Sequence, residues 1–272
     1  MSFAPIKLIA SDLDGTMLDS SGRLPERNKR AVAEAIKTGV IVTISTGRMY
    51  SSAADFARKL GLGNTPIICY NGAMIRRETG ETPLHLKLDL GVAREILAIV
   101  RERDLYVQSY IDDMIYVKDI SDSNFIYYRT HFGIAGKAAG DTVFDPQIPP
   151  TKLLLRTSGL EASRALIKEF SERFAGRVYV TSSNEDFVEI MTCGADKGRC
   201  LKVLADTLGV PMENVMALGD GDNDVEMIKR AGIGIAMANA RPETKSSARE
   251  IAPANDECGA AWAIEKYVLG GG

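Results

Sequence analysis

Two aspartates one residue apart, Asp12 and Asp14, close the apolar run in KLIASDLDGTMLD, Lys7 to Asp19. In a strand, residues i and i+2 share a face, so the two carboxylates would lie a few ångströms apart. That crowding is costly unless a cation, a proton or a helix N-terminus offsets it. Three other segments bring reactive side chains: STGR (Ser45–Arg48), GADKG (Gly194–Gly198) and GDGDND (Gly219–Asp224). Thr46, the backbone N–H groups beside it and Lys197 can cradle a phosphate monoester. Carboxylates facing that phosphate would repel it unless a cation lies between them, and an oxygen-only ligand set suits Mg²⁺.

Each segment alone has a plainer reading. Asp-Gly after a strand is a common turn signal, and Thr46, Asp222 and Asp224 could simply cap helices. Lys197 resists this treatment, because a cation at a helix start opposes the dipole, whereas a bound anion would turn that cost into a gain. An EF-hand starting at Asp220 is excluded by Val225 and Ala231 at its sixth and twelfth positions. GIGIAM (Gly232–Met237) lacks the third glycine of a dinucleotide loop, and no P-loop is present.

The elements that must position these residues follow a strand–helix alternation. Lys7–Ala10, Val40–Ser45 and Pro66–Tyr70 read as strands, separated by helices from Pro25 to Gly39 and from Ser51 to Leu60. The same grammar returns in strands Asn214–Leu218 and Gly232–Met237, with helices Asn223–Arg230 and Asp256–Val268. Such alternation predicts a doubly wound, Rossmann-like α/β core with a buried parallel sheet. Ligands then sit at the carboxyl ends of its strands, where the four segments fall. The middle of the chain has a different character, with helices Ala93–Arg103 and Glu161–Phe174 among short strands at Tyr106–Ile111, Lys152–Arg156 and Val178–Thr181. We therefore expect an inserted α+β domain at 84–187 within a catalytic core formed by 1–83 and 188–272.

Composition narrows the function classes. The 272 residues are 45% hydrophobic and 25% charged, as in an average globular chain, and a net charge of −3 provides no basic footprint for nucleic acid or a membrane surface. No apolar run approaches the ~18 residues needed to span a bilayer. The start, MSFAPIK, lacks a secretory pattern, and the four cysteines form no C-x-x-C pair, so reduced thiols in a cytoplasmic protein are expected. Two histidines far apart leave acid–base work to carboxylates, lysines or hydroxyls.

DLDGT, STGR, the lysine of GADKG and GDGDND, in this order, resemble the four motifs of the haloacid dehalogenase superfamily of phosphatases. YNGA (Tyr70–Ala73), the large insertion and GIGIAMANA resemble its Cof-type sugar-phosphatase branch, with the insertion as cap. Met17 stands where leucine is usual, and Asp222 adds a charge at a variable position. The resemblance implies Asp12 as a nucleophile forming an aspartyl-phosphate and Asp14 as acid and base. It implies Mg²⁺ held by the Asp12 carboxylate, the Asp14 carbonyl and Asp220, with Asp224 in support. Thr46, Gly47, the Leu13 N–H, Lys197 and Asn223 would hold the phosphate, and Arg48 would be structural. The implied substrate is a small phosphorylated metabolite, foremost a sugar phosphate. A phosphomutase sharing the intermediate is the nearest alternative. A receiver-type signalling protein and a silent phosphate-binding protein are more distant ones. Tyr106, Tyr110, Tyr116, Tyr127, Tyr128 and Arg129 are candidates either to line a sugar site or simply to pack, and the sequence leaves the oligomeric state open.

Overall fold

The computed structural model describes residues 4–270. The chain begins with β1 (Leu8–Ser11), α1 (Glu26–Lys37), β2 (Ile41–Ile44), α2 (Tyr50–Lys59), β3 (Ile67–Cys69), β4 (Met74–Arg76) and β5 (Leu84–His85). It continues through α3 (Leu90–Glu102), β6 (Tyr106–Ile111), β7 (Met114–Val117), α4 (Ser123–Phe132), β8 (Gly136–Ala138) and β9 (Lys152–Arg156). Next come α5 (Leu160–Arg173), β10 (Val178–Thr181), β11 (Phe187–Thr192), α6 (Lys197–Thr207) and β12 (Val215–Gly219). The last elements are α7 (Val225–Arg230), β13 (Ile233–Met237), α8 (Pro242–Ser247), β14 (Glu250–Ala252) and α9 (Gly259–Tyr267).

These elements form two compact units, one running to Leu84 and resuming at Asp196, the other spanning His85–Ala195. The first unit is the expected α/β core. Its five-stranded sheet has the order β14-β13-β12-β1-β2, with every pair parallel. β1, hydrogen-bonded between β12 and β2, is buried along its whole length, as its uninterrupted LIA run requires of a strand covered on both faces. From β1 the chain passes to β2 on one side, while β12 to β14 extend the sheet on the other. The carboxyl ends of β1 and β12 therefore flank the point where strand order reverses, the place where open α/β sheets bind ligands.

The Pro66–Tyr70 strand departs from expectation. It meets β2 through one parallel bridge, Ser45 to Ile68, and then pairs antiparallel with β4. The turn between them puts Tyr70 and Asn71 at φ 54° and 55°, in the left-handed region. A buried asparagine fixes another part of the core. Asn28 on α1 donates to the Met17 carbonyl (2.8 Å) and accepts from the Ala261 N–H (3.0 Å), tying the loop after β1 to α9.

The second unit is an α+β domain whose sheet has the order β10-β11-β9-β6-β7-β8. Its pairs are antiparallel except β7 with β8. One sheet face is apolar, with Val107, Leu153, Leu155, Val188 and Ile190 packed among the buried residues of α3 and α5. On β6, Gln108 and Tyr110 alternate with those residues, and the Tyr110 hydroxyl donates to Gln108 Oε1 (2.7 Å) and accepts from the Tyr128 hydroxyl (2.9 Å). Tyr110 and Tyr128 are thus buried in the packing of this unit. Lys152 and Glu189 form a buried ion pair (2.5 Å). The unit ends at Ala195 rather than near Phe187, because β11 is hydrogen-bonded between β9 and β10 and cannot be separated from them. The four cysteines are free thiols, and no helix among the described residues is long and apolar enough to cross a membrane.

Replacing Asn28 by Ala strands a buried carbonyl and a buried N–H. Urea denaturation of Asn28→Ala is expected to show a loss of about 2 kcal/mol or more, since each unsatisfied buried group costs about 1–3 kcal/mol. A loss below about 0.5 kcal/mol would contradict the role given to this side chain.

Candidate active site

At the end of β1, Asp12 keeps an extended backbone (φ −66°, ψ 164°) and donates its N–H to the Leu218 carbonyl at 3.0 Å. The chain then turns through Leu13–Met17, closed by the Leu18 N–H to the Leu13 carbonyl (2.8 Å). Gly15 makes the turn possible, with φ 75° and no room for a Cβ against the Asp220 carboxylate. The Thr16 hydroxyl donates to Asp220 Oδ1 at 2.7 Å. Asp220 itself follows β12, so two adjacent parallel strands deliver Asp12 and Asp220 to one edge.

Lys197, the first residue of α6, is fully buried. Its ammonium donates to Asp12 Oδ1 at 2.8 Å and to Asp224 Oδ1 at 2.7 Å. This explains how a cation is tolerated at a helix start, since two carboxylates take the place the anion alone was expected to fill. Burial works against the ammonium, but Asp12 and Asp224 outweigh it and hold its pKa above the ordinary lysine range. The other oxygen of Asp224, Oδ2, accepts the N–H groups of Asp220 and Gly221, both at 3.0 Å. Asp224 is therefore engaged through both oxygens and locks the loop after β12.

Burial dominates the acids. It pushes the Asp12 carboxyl well above the usual range against the opposing pull of Lys197. It likewise pushes Asp220 up to about 7, with the Asp224 charge adding to the effect. Oxygens of Asp12, Asp220 and Asp224 lie within 4.8 Å of one another, a spacing a cation can bridge. The surrounding charges favour one. Among the described residues, the ion pairs of these acids are those of Lys197 with Asp12 and Asp224 and of Arg48 with Asp14, so with Asp12, Asp14, Asp220 and Asp224 all ionised two negative charges exceed these two cations. Asp222 does not add to them, because it pairs with Arg241.

Asp14 does not share a strand face with Asp12, because β1 ends at Ser11 and the turn carries Asp14 elsewhere. Its carboxylate lies against Arg48, whose Nε donates to Oδ2 (2.7 Å) and Nη2 to Oδ1 (2.5 Å). Arg48, two residues before α2, is therefore turned onto Asp14 rather than along the helix. Thr46 is buried and its hydroxyl accepts the Arg48 N–H at 3.2 Å, which shapes the loop after β2. Gly47 sits so close to Asn71 that a Cβ would stand 2.8 Å from Asn71 Oδ1. The same Oδ1 accepts from Asn223 Nδ2 (2.9 Å), joining the loops after β2, β3 and β12. Sequence reasoning assigned Asn71 no role, although an Asn-Gly pair after a strand is the usual signal of a left-handed turn.

Buried carboxylates and one lysine gather at the switch point of a parallel α/β sheet, the place where enzymes of this architecture bind ligands. Comparison with known proteins gives the family. The model of the haloacid dehalogenase-like hydrolases matches residues 9–264. A 5-amino-6-(5-phospho-D-ribitylamino)uracil phosphatase of Bacillus subtilis, YcsE, is 31% identical over 97% of this chain and 96% of its own. A haloacid dehalogenase-like hydrolase structure from Bacteroides thetaiotaomicron superposes with TM-score 0.85 at 30% identity, covering 96% and 99% of the two chains. The chain is also 28% identical to the chloroplastic endoribonuclease YBEY of Arabidopsis thaliana over 96% of its length, but spans only 46% of that protein. The chain belongs to the haloacid dehalogenase-like hydrolases, and it is a phosphatase of that family.

Lys197→Met would leave Asp12 and Asp224 buried without their cation. In metal-free buffer its unfolding free energy is expected to fall by about 3–5 kcal/mol, the usual cost of breaking a buried pair from one side. A loss under about 1 kcal/mol in urea denaturation would contradict the bridging role.

Proposed function

We propose that the protein is a Mg²⁺-dependent phosphatase of small phosphate monoesters, sugar phosphates foremost, working through an aspartyl-phosphate on Asp12. The observation carrying this reading is the Lys197 ammonium held between Asp12 and Asp224 beside Asp220. It keeps Asp12 in a defined place with negative charge still to be compensated. A relative named for hydrolysing a phosphorylated ribityl compound supports a polyhydroxylated substrate.

The donor set fits Mg²⁺, being all oxygen and deficient by two positive charges. The Asp12 and Asp220 carboxylates with the Asp14 carbonyl would hold it. Asp224 is a poor direct ligand because its oxygens already serve Lys197 and two N–H groups. When bound, the ion neutralises charge on the phosphoryl oxygens and keeps Asp12 ionised despite its burial.

In the first half-reaction an Asp12 oxygen attacks phosphorus, the bond to the leaving oxygen breaks, and Asp14 gives that oxygen its proton. In the second, water attacks phosphorus and gives a proton back to Asp14. The bond to Asp12 then breaks and inorganic phosphate leaves. Lys197, Thr46, Asn223 and the N–H groups of Leu13 and Gly47 would hold the non-reacting oxygens through both halves. Such preorganised donors supply the larger part of the barrier reduction, because one acid–base group contributes only about 10²–10⁴-fold.

Asp12→Asn is expected to lower kcat for p-nitrophenyl phosphate by at least about 10³-fold, as loss of a covalent nucleophile does. Turnover near wild type would reject the nucleophile. Chelation should abolish phosphate release and Mg²⁺ restore it, measured as free phosphate; a rate indifferent to chelator would reject the metal. Release of free phosphate rather than an isomerised ester also separates this reading from a mutase.

A further inference from the structure

We propose that Arg48 is a positioning residue for the acid–base step, fixing the place and plane of the Asp14 carboxylate at the site. The inference rests on the acid role given to Asp14 above and extends it to a residue that would not itself touch the substrate.

Asp14 needs such help. Its side chain is 44% exposed, whereas that of Asp12 is 9% exposed. Packing therefore does not fix its carboxylate, and Gly15 directly after it gives no steric restraint. Arg48 supplies what packing does not. The side chain of Arg48 is only 13% exposed, and its guanidinium meets both Asp14 oxygens as a two-pronged fork. A fork of this kind fixes the plane of a carboxylate as well as its place, which a single ammonium cannot do.

The guanidinium is in turn held. Its Nη1 donates to Ser52 Oγ (3.2 Å), and its carbon lies 5.0 Å from the centre of the Phe56 ring. Ser52 and Phe56 are four residues apart on α2, so one face of that helix carries both braces. The backbone of Arg48 is fixed as well, since its N–H donates to Thr46 Oγ1 and its carbonyl accepts from the Tyr70 N–H (3.0 Å). The chain of support runs from helix to guanidinium to carboxylate.

Any contribution of the pair to stability is the same whatever the substrate. Its value as a positioning device shows in the reaction. A misplaced acid penalises substrates whose leaving oxygen needs a proton, and spares those whose leaving group departs unaided. A structural defect lowers both alike.

The test compares p-nitrophenyl phosphate with phenyl phosphate, whose leaving phenolate is much the poorer, on the Mg²⁺-loaded full chain. Arg48→Met is expected to lose about 10²-fold in kcat/KM on phenyl phosphate, the low end of acid catalysis, and at least tenfold less on p-nitrophenyl phosphate. Arg48→Lys keeps charge without the fork and should retain most of that difference. Added guanidinium should restore Arg48→Ala on phenyl phosphate selectively. If Arg48→Met melts early, the lysine variant carries the same comparison. Equal losses on both esters would overturn the inference. Asp14→Asn then tells the two claims apart. If it penalises phenyl phosphate selectively, the acid role of Asp14 stands and only Arg48's part falls. If it does not, the acid assignment fails and takes the inference with it.

Discussion

A single ammonium held out of water between two carboxylates organises the site. Lys197 touches Asp12 from β1 and Asp224 from the loop after β12, and is itself the first residue of α6. Segments separated by 185 and 27 residues thus meet at one nitrogen. Removing Lys197 leaves two buried carboxylates without their shared cation, a large penalty compared with the total stability of a domain. The loops have little freedom to rearrange around this contact. Gly198, next to Lys197, lets α6 approach the Glu226 backbone of α7 so closely that a Cβ would not fit.

The rest of the core serves that arrangement. Parallel pairing of β1 with β12 fixes the relative height of Asp12 and Asp220, with Ser11 opposite Leu218. The Gly15 turn brings the chain against the Asp220 carboxylate, and Thr16 ties the two loops by its hydroxyl. The Asn223–Asn71 bond adds the loop after β3. Loops fixed before any ligand arrives cost no reorganisation when charge develops on a phosphoryl group. The raised pKa values of Asp12 and Asp220 belong to the same picture, since buried carboxylates resist ionisation until a cation joins them.

Much of this was legible in the chain itself. The apolar β-branched runs at β2 and β13 announced buried parallel strands. Three of the four reactive segments fell at the carboxyl ends of core strands β1, β2 and β12, where an open α/β sheet binds ligands, whereas GADKG follows a strand of the second unit and opens α6. Strands β6, β9 and β10 of the second unit matched their expected bounds residue for residue. What escaped depends on contacts between distant parts. Nothing local says that Arg48 turns towards Asp14, since that choice belongs to the turn at Gly15 and to the packing of Ser52 and Phe56. α4 was missed because its apolar residues form no stripe, with Phe125 and Tyr128 buried while Ile126 and Tyr127 are exposed. The expected boundary at 187 falls short of Ala195 because β11 is bound into the second unit's sheet by pairing on both sides, a long-range contact that no local pattern shows.

On the proposal made above, one divalent cation held by Asp12 and Asp220 completes the charge of this site. Calorimetric titration of the metal-free chain with Mg²⁺ tests it most directly. One ion bound per chain, with binding lost in Asp220→Asn, is the predicted result. Absence of binding at millimolar Mg²⁺, or binding that Asp220→Asn leaves untouched, would contradict it.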